Sequence, residues 1–382
     1  VSGPVRPGAY RLTVRCCYLG MVVQAIVVNL APVLFIPMRT AWGLTFEQLG
    51  RLILVNFATQ VSCDLIAGAA VSRIGARRLL VGGHLAVAIG LGLFAWLPEL
   101  GGSPYAGLML GTILFSMGGG VLELLLSPVI HAIPSDRKAA DMSLLHSFYA
   151  WGQAGVILLT AVAVFVGGAR PWVWIAPAWA LLPLLGAWVF GRAPLPPFPD
   201  EARRHRLRDL LRVPAFLGLV LAMVLAGASE IAMAQWMSAF AERALGLPKL
   251  LGDLGGLVLF AVGLGAGRAA FGLARGNRRL GRTLQLGAFL AVLLYGMAAL
   301  SPVSGVSLAA CALSGAAVSL MWPGVLALAS ARFPLAGATM FAVLAAAGDM
   351  GCATAPWLVG WVADRAGQFA APFRGAWSPE SW

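Results

Sequence analysis

Residues 118–128 read Gly118-Gly119-Gly120-Val121-Leu122-Glu123-Leu124-Leu125-Leu126-Ser127-Pro128. This stretch decides the fold. It lies inside an apolar run from about Tyr105 to Ile133, long enough to cross a bilayer at roughly 1.5 Å per residue. A carboxylate sits near the middle of that run. Placing a charge there costs about 2.5–3.5 kcal/mol on insertion scales. Such a residue is paired, protonated or in contact with a watery cavity. Three glycines before it permit close helix packing, and Pro128 after it removes a backbone hydrogen bond and can kink the helix. The stretch reads as part of a transport site.

The rest of the composition agrees with a membrane setting. The chain has 382 residues, 60% hydrophobic and 11% charged, with mean hydropathy +0.85. A soluble domain is about 25% charged, so polar residues this scarce cannot cover a water-facing surface. A β-barrel would alternate apolar and polar residues along each strand, whereas these segments are apolar on every side. The expected class is an all-α polytopic membrane protein. The net charge of +12 sits in short loops between spans, which is the positive-inside pattern and not a nucleic-acid face. The five cysteines (Cys16, Cys17, Cys63, Cys311 and Cys352) lie in or beside apolar spans and form no CxxC pair, so they read as packing residues, with no disulfide framework or metal site expected.

In chain order, spans are expected near residues 12–37, 49–71, 79–97, 105–133, 144–166, 172–190, 215–240, 254–273, 284–300, 306–329 and 340–362. That makes eleven. Span 1 contains Gln24, Asn29 and Pro32. In span 2, Asn56, Gln60 and Asp64 recur at i, i+4 and i+8 and share one helix face. A polar stripe in a membrane helix faces protein or water. Residues 192–213 form a Pro-rich elbow and a basic stretch with Leu207, Leu210 and Leu211 at helical spacing, expected to lie on the membrane surface. The chain therefore divides into an N-terminal helical bundle (1–191), a basic linker (192–213) and a C-terminal bundle (214–382). The N-terminal end through Arg15 and the loops after the even-numbered spans hold 19 of the 27 Lys/Arg residues. They place the N-terminus in the cytoplasm.

After span 2 the chain reads Gly68-x-x-x-Ser72-Arg73-x-Gly75-x-Arg77-Arg78, and after span 8 Gly276-x-Arg278-Arg279. Two halves of similar hydropathy joined by a basic loop suggest parallel repeats. The run from Gly68 to Arg78 resembles the loop signature of the major facilitator superfamily, with Ser72 in place of its Asp and Ala76 in place of a basic residue. A weaker echo runs from Gly360 to Gly367. Within the superfamily, span 4 is similar to the fucose permease type, a sugar:proton symporter group, whose fourth helix carries a glycine-rich approach, a Glu and Asn-Pro. Gly118–Gly120, Glu123 and Pro128 match, and Ser127 replaces Asn. Leu145-His146 with Gly152, and residues 227–236, also look like that group. Pro32 stands where the group has a span-1 carboxylate. The resemblance implies two six-helix bundles, with the last, twelfth helix expected to be missing here. It also implies that spans 1, 4, 7 and 10 line a central cavity.

Glu123 is the leading candidate for proton coupling and substrate binding. Its counterpart in the second half, Val318, carries no charge. Glu230 is a second candidate for both roles. Gln24, Asn29, Gln235, Trp236 and Trp322 are candidate substrate contacts, by amide hydrogen bonds or by stacking on a ring. The resemblance implies that Asp64, Gly68, Arg73, Gly75, Arg77, Arg78 and Asp349 form gating contacts at the cytoplasmic ends of the bundles. Arg268, inside span 8, could bind an anion, pair with Asp349 or snorkel. His84 and His146 could relay protons or simply pack.

These residues point to a secondary active transporter working by alternating access in the cytoplasmic membrane. It would act as a monomer in the lipid bilayer on a small-molecule substrate. No GxxxxGK[ST] occurs, so an ion gradient, with the proton as coupling ion, is the expected energy source and no cofactor is expected. Amide, aromatic and acidic residues suit a sugar or similar polar solute; efflux of lipophilic cations is the alternative. A membrane-embedded enzyme would need a nucleophile and base or a metal cluster, and neither HExxH nor GxSxG occurs.

Overall fold

Glycines and capping residues mark where each apolar run stops. Gly43, with φ of +64°, closes the first helix by donating its N–H to the Arg39 carbonyl. Thr45 and Gln48 then open the second with a reciprocal capping box. Gly75, with φ of +89°, makes the one-residue corner into the third. Ser103 caps the fourth, with Pro104 in its first turn.

The computed structural model of the protein describes residues 10–167, 170–197, 207–248, 251–274, 280–334 and 336–369. Among these residues all the regular elements are helical. The first half holds α1 (Arg11–Trp42), α2 (Phe46–Ile74), α3 (Ala76–Trp96), α4 (Pro104–Ala132), α5 (Lys138–Val166) and α6 (Trp172–Arg192). A single turn, α7 (Leu207–Leu210), stands where the linker was expected to lie along the membrane. Its Leu210 is buried in the core, so this turn docks on the protein. The second half holds α8 (Pro214–Arg243), a π-helical segment (Gly252–Val258) leading into α9 (Leu259–Leu273), α10 (Leu280–Leu300), α11 (Ser304–Val318), α12 (Met321–Arg332) and α13 (Gly337–Phe369).

Among the described residues, ten candidate spans are long and apolar enough to cross a membrane. The helix α2 is as long as its neighbours, and its polar face lowers its hydropathy below theirs. With α2 the expected eleven are all present. The expected tenth span is not one straight helix: it breaks at Ser319–Leu320 into α11 and α12. Pro323 is the cause, because it lacks the N–H that would bond the Ser319 carbonyl and its ring crowds that oxygen. The expected eleventh span continues past Val362, since α13 reaches Phe369.

Within the first half, α3 packs closely on α4 and α6, and α1 on α5. Glycine makes the α3–α4 seam possible. A Cβ on Gly111 would lie 2.5 Å from the Phe94 backbone, and one on Gly118 would strike the Gly83 carbonyl and Val87. Gly119 and Gly120 instead face α1 and α2, where a Cβ would meet Val27 at 2.7 Å, Gln24 Oε1 at 3.0 Å and the Gln60 backbone at 3.0 Å. The three glycines thus let α4 touch three helices at once. Between the halves, α2 packs on α13 and α5 on α9.

Candidate functional site

A cavity lies between the two halves at the level of Glu123. Its lining includes Gln24 and Val28 of α1, Phe57 of α2, Glu123 of α4, His146 and Tyr149 of α5, Glu230 of α8, Arg268 of α9, Trp322 of α12 and Asp349 of α13. The volume open to water-sized molecules is about 40 Å³. That is room for about three waters. A larger solute needs the lining to part.

Glu123 projects from α4 and keeps part of its surface open toward this cavity. Its Oε2 accepts a hydrogen bond of 2.7 Å from Gln24 Nε2. The same nitrogen donates to Gln60 Oε1 at 2.5 Å. Gln60 Nε2 donates to Asn56 Oδ1 at 2.8 Å, and Asn56 Nδ2 donates to the Val27 carbonyl at 2.9 Å. Ser116 also donates to Asn56 Oδ1, at 2.9 Å. The polar stripe of α2 therefore faces protein, and it ends on the cavity carboxylate through Gln24.

Across the cavity, Arg268 and Glu230 form an ion pair of 2.5 Å, with side chains only 2% and 6% exposed. The guanidinium also donates to the Ser319 carbonyl at 2.8 Å and to the His146 carbonyl at 3.2 Å. The Ser319 oxygen is the one Pro323 leaves without its helical partner. Arg268 thus fills the gap made by the break in the tenth span. Its own carbonyl accepts from Ser143 of α5 at 2.7 Å, so the pair is tied to the first half as well as the second. A charge this buried needs such a set of partners.

The structure brings Gln24, Glu123, Glu230 and Trp322 together in the lining. It places the other candidate substrate contacts, Asn29, Gln235 and Trp236, outside the lining. Asn29 donates to the Ala25 carbonyl of its own helix and accepts from Gln153 Nε2 at 3.1 Å, clipping α1 to α5. Trp236 donates to the Pro356 carbonyl at 2.9 Å, clipping α8 to α13. Gln235, one residue earlier on α8, is half-buried. Asp349 is buried and lines the cavity. Gly348 beside it accommodates the Trp322 ring, which holds α13 close at this depth. Among the loop residues, Arg73 and Arg78 are exposed. Arg77 donates to the Phe190 and Gly191 carbonyls at 3.0 and 2.8 Å, satisfying the C-terminus of α6. Gly68 lies on α2, but its packing and the Asp64 side chain lie outside the described residues. His84 packs on Phe190 and bonds the Leu80 carbonyl at 2.8 Å, away from the cavity. His146 lines it, with its Nε2 3.2 Å from Ser127 Oγ. Tyr149 and Phe57 are lining residues that sequence reading passed over. Each lies beside a polar residue already noted, three after His146 and one after Asn56. Among the described residues no group of three His, Cys, Asp or Glu side chains could hold a metal.

Two helical halves closing on a small, largely apolar cavity that holds a carboxyl, an amide and a buried ion pair define a multi-pass membrane transporter. The Major Facilitator Superfamily family model matches residues 17–356, and the chain belongs to that superfamily. No curated protein matches it. Among solved structures, it is similar to FucP, a major facilitator transporter captured in the outward conformation, with a TM-score of 0.76 at 17% identity over 94% of each chain. It is similar to the proton:xylose symporter XylE with a TM-score of 0.76 at 15% identity, covering 97% of this chain and 92% of that one. The human organic anion transporter MFSD10 gives a TM-score of 0.68 at 15% identity over 97% of each chain. At these identities the likeness is one of fold.

Proposed function

We propose that this transporter is a proton-coupled carrier of a small polar solute of the sugar class. It works as a monomer in the cytoplasmic membrane with its N-terminus inside, driven by the proton gradient without a cofactor. The observation that carries the reading is the position of Glu123: a carboxyl on the cavity, inside the membrane span, facing both halves. Protonating it removes a buried charge and lets the loaded cavity change sides. The fucose and xylose carriers that share the fold are described as proton symporters, which supports the same choice. Besides the arginine, the polar side chains of the lining are amide, carboxyl, phenol, imidazole and indole groups, and these suit hydroxyls. The one lining arginine is engaged with Glu230 and two carbonyls, which argues against an anionic solute.

The test uses purified protein in proteoliposomes with an imposed proton gradient and radiolabelled fucose, xylose and related polyols as probes. Wild type is expected to accumulate one of them against its gradient. Glu123→Gln is expected to lose accumulation while keeping exchange of the same probe across the membrane. Full accumulation by that variant overturns the reading, as does the absence of gradient-driven flux for every sugar and polyol.

A further inference from the structure

The amide chain beside Glu123 has a direction. A backbone carbonyl can only accept, so the Val27 oxygen fixes Asn56 Nδ2 as the donor to it. Asn56 then presents Oδ1 to Gln60 and Ser116. Gln60 must use Nε2 toward Asn56, which leaves its Oε1 facing Gln24. Gln24 in turn can offer only its NH₂ at this point, and it donates to Gln60 and to Glu123 together. Its own Oε1 is buried without a hydrogen-bond partner. Reversing any one amide sets two oxygens or two NH₂ groups against each other along the whole chain.

This polarity suits one protonation state of Glu123. A carboxylate accepts from Gln24 with its full charge; a carboxylic acid can still accept on its carbonyl oxygen, but more weakly, and its O–H finds no acceptor at Gln24, which cannot turn its oxygen there while Val27 anchors the chain. We propose that Gln24 is a positioning residue that ties the state of Glu123 to the α1–α2–α4 contact: it holds the carboxylate against α1 and releases the acid into the cavity. Asn56 and Gln60, which do not line the cavity, act through it. The inference rests on the proton-coupling reading and names the part that senses the proton. It also gives an order of events. The freed acid O–H is available to a solute hydroxyl only after the proton has bound. Gly119 is glycine because any side chain there would occupy the space of Val27 and the Gln24 oxygen.

The titratable and charged groups around this carboxyl are His146 and Tyr149 on α5, Glu230 on α8, Arg268 on α9, and Asp349 and Cys352 on α13, all lining the same cavity. On α2, Cys63 lies against Gly120. None belongs to the amide chain, so substitutions within the chain leave their charges in place.

The experiment is an infrared titration of the full-length protein in lipid, without any solute. The carbonyl band of protonated Glu123 is identified by its loss in Glu123→Gln. Asn56→Leu removes the anchor and lets Gln24 turn its oxygen to the acid. The midpoint of the band is then expected to move to higher pH by about one unit, a tenfold gain in proton affinity. Gln60→Met is expected to give the same shift and serves if Asn56→Leu does not fold. Ser116→Ala leaves the anchor intact and is expected to leave the midpoint unchanged. Unchanged midpoints in Asn56→Leu and Gln60→Met would overturn the proposal, as would an equal shift in Ser116→Ala. Because the readout needs no transport, failure here is distinct from failure of the Glu123→Gln flux test.

Discussion

Arg268→Met is expected to cost the folded protein about 3–5 kcal/mol, the largest stability loss of any conservative-volume change at the site. The substitution keeps most of the side-chain bulk and removes the charge. It leaves Glu230, 5% exposed, without its guanidinium partner. It also leaves the Ser319 carbonyl without its donor at the break between α11 and α12. Both groups are buried, and leaving either without its partner costs free energy. The measurement is the thermal midpoint of detergent-solubilised protein followed by loss of the monodisperse species. A steep fall is expected for the single variant. The double variant Glu230→Gln, Arg268→Met no longer carries an unpaired buried charge and is expected to recover most of the loss. A pair that matters for packing alone would give the opposite order, with the double variant worse than either single one. Transport gives a second readout. If the pair only holds α8, α9 and α12 in register, the stable double variant retains solute exchange. Loss of exchange in that variant would mean that one of the two charges contacts the solute.

Much of this arrangement was legible in the sequence, for identifiable reasons. The spans could be read because each is a long apolar run ended by glycine, proline or arginine. Glu123 could be read because a lone carboxyl in such a run is costly. The stripe Asn56-Gln60 could be read as one face of α2 from its four-residue spacing. What that face meets could not, because pairing between helices depends on their rotation about their own axes. That rotation is set by contacts such as Gly119 against Val27, which involve residues far apart in the chain. The same limit hid the partner of Arg268. Both Asp349 and Glu230 are acids in spans of the second half, and the guanidinium pairs with Glu230, 38 positions away. Pro323 lies inside the run expected as one span, and nothing in the chain near it shows that the oxygen it frees is taken by an arginine from another helix. Asn29 and Trp236 show the complementary error of reading from residue type. An amide and an indole in a membrane span satisfy neighbouring helices as readily as a solute, and here they bond Gln153 and Pro356.

Gly272→Trp is expected to force the two halves apart at the end of the molecule that carries the basic loops. Three contacts close that end. A Cβ on Gly272 of α9 would lie 3.0 Å from the Ala140 carbonyl and 3.0 Å from Leu144 Cβ, both on α5. One turn earlier on α9, the Arg268 carbonyl accepts from Ser143. Where α4 ends and α13 begins, the His131 and Phe341 rings meet at a tilt, with centroids 5.7 Å apart. An indole at position 272 meets a backbone carbonyl and a Cβ, neither of which can rotate away, so relief requires separation of α5 from α9. If overpacking costs the closed arrangement about 3 kcal/mol, its population relative to the open one falls on the order of 100-fold. Cys352 reports this, because it is the one free cysteine lining the cavity among those described. With the other four cysteines replaced by serine or alanine, a membrane-impermeant maleimide is applied from each side in turn. Labelling of Cys352 from the basic side is expected to rise at least tenfold in Gly272→Trp, and accumulation of any transported probe is expected to be lost. Gly218→Trp supplies the control, since nothing lies within 4 Å of a Cβ at that position on α8; it is expected to leave labelling and transport as they are. Equal labelling in the two tryptophan variants would mean that the α5–α9 seam does not control access to the cavity, and that the barrier at this end lies instead where α4 meets α13.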